Sequence, residues 1–308
     1  MIFQSYKKGD ETKILELFSM VFVKQMSEAY WHWRFVENPL NQFFIHLAWD
    51  EGILASHYAA SPILFSISGE DYFTIHSLTT MTHPEYRGLK LLNQLAKQVY
   101  DQAVKSDYLM VWGFPNFKSH RSFVKELNWK DLYEIPTMQL NLTNKKKECI
   151  ADIVSDDHFD LDYVANSYLR QFIHVKKDRQ YLRWRYAKNP VNHYTNLIVS
   201  KERKVSSFCV VKKYLNSLDI VDYQAQNEEE GASLLFQAMS FANLHKLDFV
   251  NCWAPRHHFI HSLCEKIGFI NKEPITYLGF RQLSKNILKK ISDNYSDWYI
   301  QMGDSDVY

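Results

Sequence analysis

The chain of 308 residues is poor in features that would point toward several common classes. It holds four cysteines, Cys149, Cys209, Cys252 and Cys264, with no C-x-x-C spacing, so neither a metal site nor a disulfide framework is indicated, and a reducing compartment fits. Net charge is almost absent: 36 basic residues against 35 acidic leave +1, so no global field favours nucleic acid or an anionic membrane. A polyanionic ligand would need a local site. No apolar run reaches the ~18 residues of a membrane helix, and no charged-then-apolar leader opens the sequence. The expectation is a cytoplasmic protein with neither a membrane nor a nucleic acid as partner. Aromatic residues are plentiful at 15%, which suits large cores and stacking surfaces alike. The length suffices for two domains, each with its own core.

The most informative stretch runs from His76 to Tyr100. Tyr72 to Thr82 is β-branched, aromatic or small without a helical stripe, and Pro84 marks where ladder pairing should stop. Beyond Gly88 the period changes, and Leu91, Leu92, Leu95, Ala96 and Val99 fall on one helix face. A helix start carries unpaired N–H groups and the positive end of the dipole, and Arg87 and Lys90 flank this one. The turn reads as a pyrophosphate site.

A repeat organises the rest. Trp33-Arg34-Phe35-Val36-Glu37-Asn38-Pro39-Leu40-Asn41 recurs as Trp184-Arg185-Tyr186-Ala187-Lys188-Asn189-Pro190-Val191-Asn192. Two copies imply a duplicated unit, with a seam in the polar stretch from Asn141 to Glu148 and domains over 1–145 and 146–308. In the first half, Asp10 is placed to cap a helix, the Trp-Arg segment forms a second helix ending near Pro39, and strands follow at 44–49, 53–60 and 72–82. A helix to about Lys105, a strand at 108–113, a helix at 118–127 and a strand at 138–142 complete it. The second half shows strands near 196–199, 205–214, 218–224 and 249–253, with a central helix at 234–244. At its corresponding turn Glu228-Glu229-Glu230 replaces the basic residues, and three carboxylates repel phosphate. One donor site per chain is expected, in the first half.

The segment His83-Pro84-Glu85-Tyr86-Arg87-Gly88-Leu89-Lys90-Leu91-Leu92 resembles the acyl-CoA signature of the GNAT superfamily of N-acyltransferases, and the element order resembles that fold in both halves. Lys90 and Leu92 stand where the signature has its second glycine and a small residue. The resemblance implies an α/β architecture of two tandem GNAT folds, each a mixed, mainly antiparallel twisted sheet flanked by helices. It implies acyl-CoA as co-substrate, held by Met81, Thr82, Arg87, Gly88, Leu89, Lys90, Leu91, Leu92 and Asn116, with no metal. Counting back eleven positions from Arg87, as in the superfamily's histone acetyltransferases, places the catalytic base at His76; the alternative there is a sheet histidine bonded to a neighbour. His57, Tyr58 and His83 are the reserves. The family's tyrosine acid is replaced by Val124 in one half and Cys264 in the other.

Tandem chains of this kind resemble enzymes that transfer acetyl or a short hydroxyacyl group, such as 3-hydroxybutanoyl, to the amine of a nucleotide-linked amino sugar of dTDP type. The acceptor is expected in a cleft between the domains, against Tyr58, His83, Trp298, Asp304 and Asp306, with the C-terminal segment closing over it. Aminoacyl-tRNA-dependent transferases and an acyl-CoA-binding regulator are the competing readings, the first disfavoured by the near-zero charge. Because both halves keep the Trp-Arg motif, a structural role is expected for it.

Overall fold

The structure, a computed structural model, describes residues 1–143, 151–160, 162–164, 166–202, 204–284, 291–306 and 308. Residues 144–148 of the polar seam, and Cys149, lie outside the described residues. Two compact units divide the chain. The first comprises Met1–Phe65, Asp71–Tyr133 and Thr276–Asp293, and the second Ser66–Glu70, Glu134–Ile275 and Asn294–Tyr308.

The first unit opens with β1 (Ile2–Ser5), α1 (Glu11–Phe22) and α2 (Glu28–Trp31), the last running into one π-helical turn at His32–Val36. Then come β2 (Phe44–Asp50), β3 (Ile53–Ile67), β4 (Glu70–Thr82), α3 (Leu91–Lys105), β5 (Met110–Gly113), α4 (Phe117–Lys125) and β6 (Lys130–Asn141). Strand alternation sends Phe44 and Ala48 of β2 to the core beneath α3, while Ile45 and Leu47 pack with Ile14 and Leu17 of α1. The predicted stripe on α3 is the buried one: Leu91, Leu95, Ala96 and Val99 are all in the core. Asp10 sits at the start of α1, but its carboxylate accepts from the Lys7 N–H instead of capping the helix. Strand β3 runs seven residues past the predicted end at Ala60, straight through Pro62. That proline's carbonyl accepts from Asn38 Nδ2, and the next residue's, Ile63, from Thr74 Oγ1.

The second unit repeats this order with β7 (Ile173–Val175), α5 (Arg179–Leu182), a second π-helical turn at Arg183–Ala187, β8 (Tyr194–Lys201), β9 (Lys204–Tyr214), β10 (Ser217–Gln224), α6 (Glu228–Leu244), β11 (Phe249–Cys252) and α7 (Phe259–Ile267). Helix α6 begins six residues before the predicted start, because Asn227 caps it by accepting from the Glu230 N–H. The repeated motif is the π turn itself. In both copies a capping side chain, Ser27 or Asp178, accepts from a tyrosine N–H, and an asparagine, Asn38 or Asn189, closes the exit by accepting a main-chain N–H two residues on.

Each unit's sheet is completed by a strand from outside its own half of the sequence. Strand β12 (Ile270–Gln282) pairs antiparallel with β5 from Gly279↔Gly113 to Gln282↔Met110 in the first unit. Residues Met138 to Asn141 of β6 pair with β11 in the second. A short β13 (Trp298–Tyr299) pairs parallel with β7. In each unit the pairing is mixed and mainly antiparallel, with a parallel step from β4 to β5 in the first and, besides β7 to β13, one from β10 to β11 in the second. Among the described residues no helix is long and apolar enough to cross a membrane, and no cluster of three His, Cys, Asp or Glu side chains is set to hold a metal ion.

Candidate active site

The parallel step in the first unit is brief. β4 pairs with β5 at Ile75↔Val111 and His76↔Trp112, yet β4 continues to Thr82 and β5 ends at Gly113, so the strands part beyond His76 like the arms of a fork. The far arm of β4 is gripped from β3. Ser56 Oγ donates to the Met81 carbonyl at 2.8 Å and lies 3.0 Å from Thr82 Oγ1. His57 Nδ1 donates to the Thr79 carbonyl at 2.8 Å, and burial pushes this imidazole down to about 4, so it is neutral. Thr79 itself has φ +52, a conformation a β-branched residue adopts only when its surroundings impose it. Below the fork, Trp129 Nε1 donates to Tyr100 Oη at 2.9 Å, Tyr100 Oη is 3.0 Å from Tyr58 Oη, and Tyr58 donates to Ser77 Oγ at 2.7 Å. Burial holds the Tyr58 hydroxyl far above its ordinary range. Tyr58 is thus an internal support of β4.

After β4 the chain makes a 3-10 turn at Pro84–Tyr86, started by His83, whose Nδ1 accepts from the Glu85 N–H. Gly88 then takes φ +86 and Lys90 φ +56, which reverses the backbone into α3. Lys90 occupies a left-handed conformation that glycine enters freely and other residues enter at a cost of roughly 1 kcal/mol. Among the described residues nothing accepts from the N–H groups of Gly88, Leu89, Lys90, Leu91 and Leu92, and neither Arg87 nor Lys90 has a carboxylate partner. Five donors and two cations at a helix start are fitted to a phosphate anion. Asn116 stands at the start of α4, where its Oδ1 accepts from the Lys118 and Ser119 N–H groups.

His76, at the apex of the fork, is 1% exposed and stacks on Trp112 with ring centroids 4.3 Å apart and planes 10° from parallel. Its Nδ1 lies 3.1 Å from Nη2 of Arg34, on the first π turn. That contact was not legible in the sequence: Arg34 stands out only as part of the repeat, and 42 residues separate it from His76.

The first unit therefore brings together His76, Met81, Thr82 and the turn from Arg87 to Leu92, with Tyr58, His83 and Asn116 around them. Trp298, Asp304 and Asp306 belong to the second unit. There β10 and β11 part beyond Ile220↔Cys252, and the C-terminal segment lies along the β10 arm. Tyr299 Oη donates to the Tyr223 carbonyl at 2.5 Å. Gly303 passes so close that a Cβ would lie 3.0 Å from the Val221 carbonyl and closer still to the Tyr186 hydroxyl. Gln301, with Ile220, Tyr223, Cys252 and Cys264, lines a residual cavity of about 10 Å³, room for one water at most. Asp304 is buried in an ion pair with Lys177 at 2.9 Å, and Lys177 also pairs with Asp222, which holds the Tyr186 hydroxyl. Arg185, the counterpart of Arg34, donates to the Gly303 and Ser305 carbonyls at 3.2 Å and to the main-chain oxygen of Tyr308 at 2.5 Å. The segment read as an acceptor contact is a fixed part of the second unit, along the β10 arm of its fork. Trp298 is fully buried there, and its carbonyl accepts from His257 Nε2 at 2.7 Å.

Residues 3–131 match the family model of the acetyltransferase (GNAT) domain. Solved structures share the fold at low identity. A conserved Enterococcus faecalis protein of unknown function, described as a probable N-acyltransferase, is 12% identical over 92% of this chain and 72% of its own, with a TM-score of 0.67. A GCN5-related N-acetyltransferase from Anabaena variabilis is 10% identical over 92% and 72%, with a TM-score of 0.65. Saccharomyces cerevisiae N-myristoyltransferase with bound myristoyl-CoA is 10% identical over 97% and 89%, with a TM-score of 0.63. No curated protein matches the chain. The fork, the turn from Arg87 to Leu92 and His76 all fall within residues 3–131, the stretch of the chain that matches the GNAT acetyltransferase domain.

Proposed function

We propose that the first unit binds one acyl-CoA at the β4–β5 fork and transfers an acetyl or short hydroxyacyl group to the amine of a nucleotide-linked amino sugar. The observation that carries the donor half is the row of five N–H groups that have no acceptor among the described residues, beside Arg87 and Lys90 and one turn from the end of a strand that has left its neighbour. The turn holds the pyrophosphate, and the edge of β4 from Leu78 to Thr82, past its last pair with β5, offers main-chain groups to an extended pantetheine arm. Acyl-CoA supplies the thioester. In the transfer the amine nitrogen bonds to the carbonyl carbon, the C–S bond breaks, the sulfur leaves as thiolate and the amine releases one proton. Val124 offers no proton where the family has a tyrosine, so water protonates the thiolate, and the rate depends on how the fork polarises the carbonyl.

Several features support a second unit without a donor. Its fork is lined by the segment from Trp298 to Ser305, and its α6 start is capped by Asn227 and acidic at Glu228, Glu229 and Glu230. The acceptor assignment rests on the resemblance of the chain to tandem enzymes acting on dTDP-type amino sugars. It is tested by incubating the protein with acetyl-CoA or 3-hydroxybutanoyl-CoA and a panel of primary amines that includes dTDP-linked amino-dideoxyhexoses, with products read by mass spectrometry. An N-acylated nucleotide sugar with release of CoA is expected. Acylation of other amines with the nucleotide sugars untouched would overturn the acceptor assignment and leave the donor site standing.

A further inference from the structure

We propose that Arg34 is a positioning residue that fixes His76 as the neutral tautomer with its proton on Nε2, so that His76 acts as a hydrogen-bond donor at the apex of the fork and not as a base. A guanidinium carries five donors and no acceptor. With Arg34 Nη2 at 3.1 Å, His76 Nδ1 has one way to make the bond, which is to present its lone pair. The single proton of the neutral ring then sits on Nε2. A proton on Nδ1 would set two donors head to head, and a second proton would place an imidazolium against a guanidinium where both residues are at most 3% exposed.

The ring is held in this pose from its other sides. It lies flat on Trp112 and edge-on to Phe114, with centroids 5.9 Å apart. Trp112 is itself fixed by donating from Nε1 to Thr74 Oγ1 at 3.0 Å. Arg34 is seated by its π turn, where its own carbonyl accepts from Ser61 Oγ at 3.3 Å. The second unit supplies an internal control. Arg185, at the same position of the repeated motif, bonds the main-chain oxygens of Gly303, Ser305 and Tyr308 and the Tyr194 hydroxyl. An arginine committed to an imidazole thus occurs in the unit that has the basic, glycine-containing turn.

A histidine so arranged cannot take the amine's proton while Arg34 stays in place, because neither ring nitrogen keeps a free lone pair. It can donate from Nε2 to an oxygen drawn into the fork, and the amine's proton departs through water. The catalytic half of this inference rests on the acyltransferase reading, whereas the tautomer does not.

The decisive measurement is a long-range proton–nitrogen NMR spectrum of protein labelled with 15N-histidine, His76 being assigned by its absence in His76→Gln. A protonated Nε2 and an unprotonated Nδ1 are expected, with the preference lost or reversed in Arg34→Met. A protonated Nδ1 in the wild-type protein overturns the proposal, and this reading needs no variant of Arg34 to fold. Kinetics with acetyl-CoA and a dTDP-linked amino sugar give a second readout. His76→Gln, which keeps an N–H near the Nε2 position but cannot titrate, should stay within about tenfold of wild type, while His76→Leu should lose roughly 100-fold or more, as for a deleted oxyanion donor. Equal losses in both variants, with the rising acid-side limb of the rate profile gone from both, would make His76 the base. Absence of turnover in the wild-type protein would refute the transferase pairing instead and leave the tautomer result intact.

Discussion

Thr79 is held in a conformation that its own side chain opposes, and the residue that holds it is His57. The grip depends on a neutral imidazole, and burial lowers that group from 6.5 to about 4. A histidine depressed in the folded state contributes stability that is fully present above its unfolded value near 6.5 and is lost as the pH falls toward 4, a difference worth roughly 3 kcal/mol. Thermal unfolding between pH 7 and 4 should therefore be less acid-sensitive in His57→Gln than in wild type, and identical slopes would remove His57 from the account. Lys90 and Gly88 make a complementary pair. Nothing lies within 4 Å of where a Gly88 Cβ would be, so Gly88→Ala should cost about 1 kcal/mol through φ +86 alone. Lys90→Gly should leave stability equal or slightly higher while weakening CoA binding, and loss of stability in both variants would contradict the strain assigned to Lys90. The Arg87–Gly88 turn was readable in the sequence because a glycine and a helix start act on their immediate neighbours. The grips of His57 on Thr79 and Arg34 on His76 were not, since each joins residues from different elements.

At the scale of elements, the repeat was readable and its divergence was not. Spacing marked both Trp-Arg segments, and each proves to be a π-helical turn closed by an asparagine. What each arginine bonds to depends on chain far away in sequence: His76 for Arg34, and the segment at 303–308 for Arg185. Two acidic residues near the C-terminus resembled a lure for an ammonium ion, and Asp304 does hold one, the side chain of Lys177 within its own unit. The charges of Asp222 and Asp304 raise the Lys177 ammonium against the opposing effect of burial, so the cation is fixed. Lys177→Met would leave two buried carboxylates facing each other and should destabilise the second unit by about 3–5 kcal/mol in denaturant unfolding, with partial recovery in Lys177→Met combined with Asp304→Asn. No recovery in the double variant would mean that the lysine acts through packing and not through charge. Strand β3 also exceeded its predicted end at Ala60, continuing through Pro62 to Ile67.

At the scale of the whole molecule, the order of elements indicated the fold, a mixed, mainly antiparallel sheet flanked by helices. The strand exchange could not be read: no residue pattern tells that Gly279 to Gln282 pair with β5 while Met138 to Asn141 pair with β11, because both strands have the alternation that either sheet would accept. The two units are similar but asymmetric, one with an open fork and a basic turn, the other with its C-terminal segment along the fork and an acidic helix start. Titration calorimetry with CoA tests this asymmetry most directly. One site per chain is expected, weakened at least about tenfold by Arg87→Glu and unaffected by Glu229→Lys. Two sites per chain, or one site indifferent to Arg87→Glu, would contradict it.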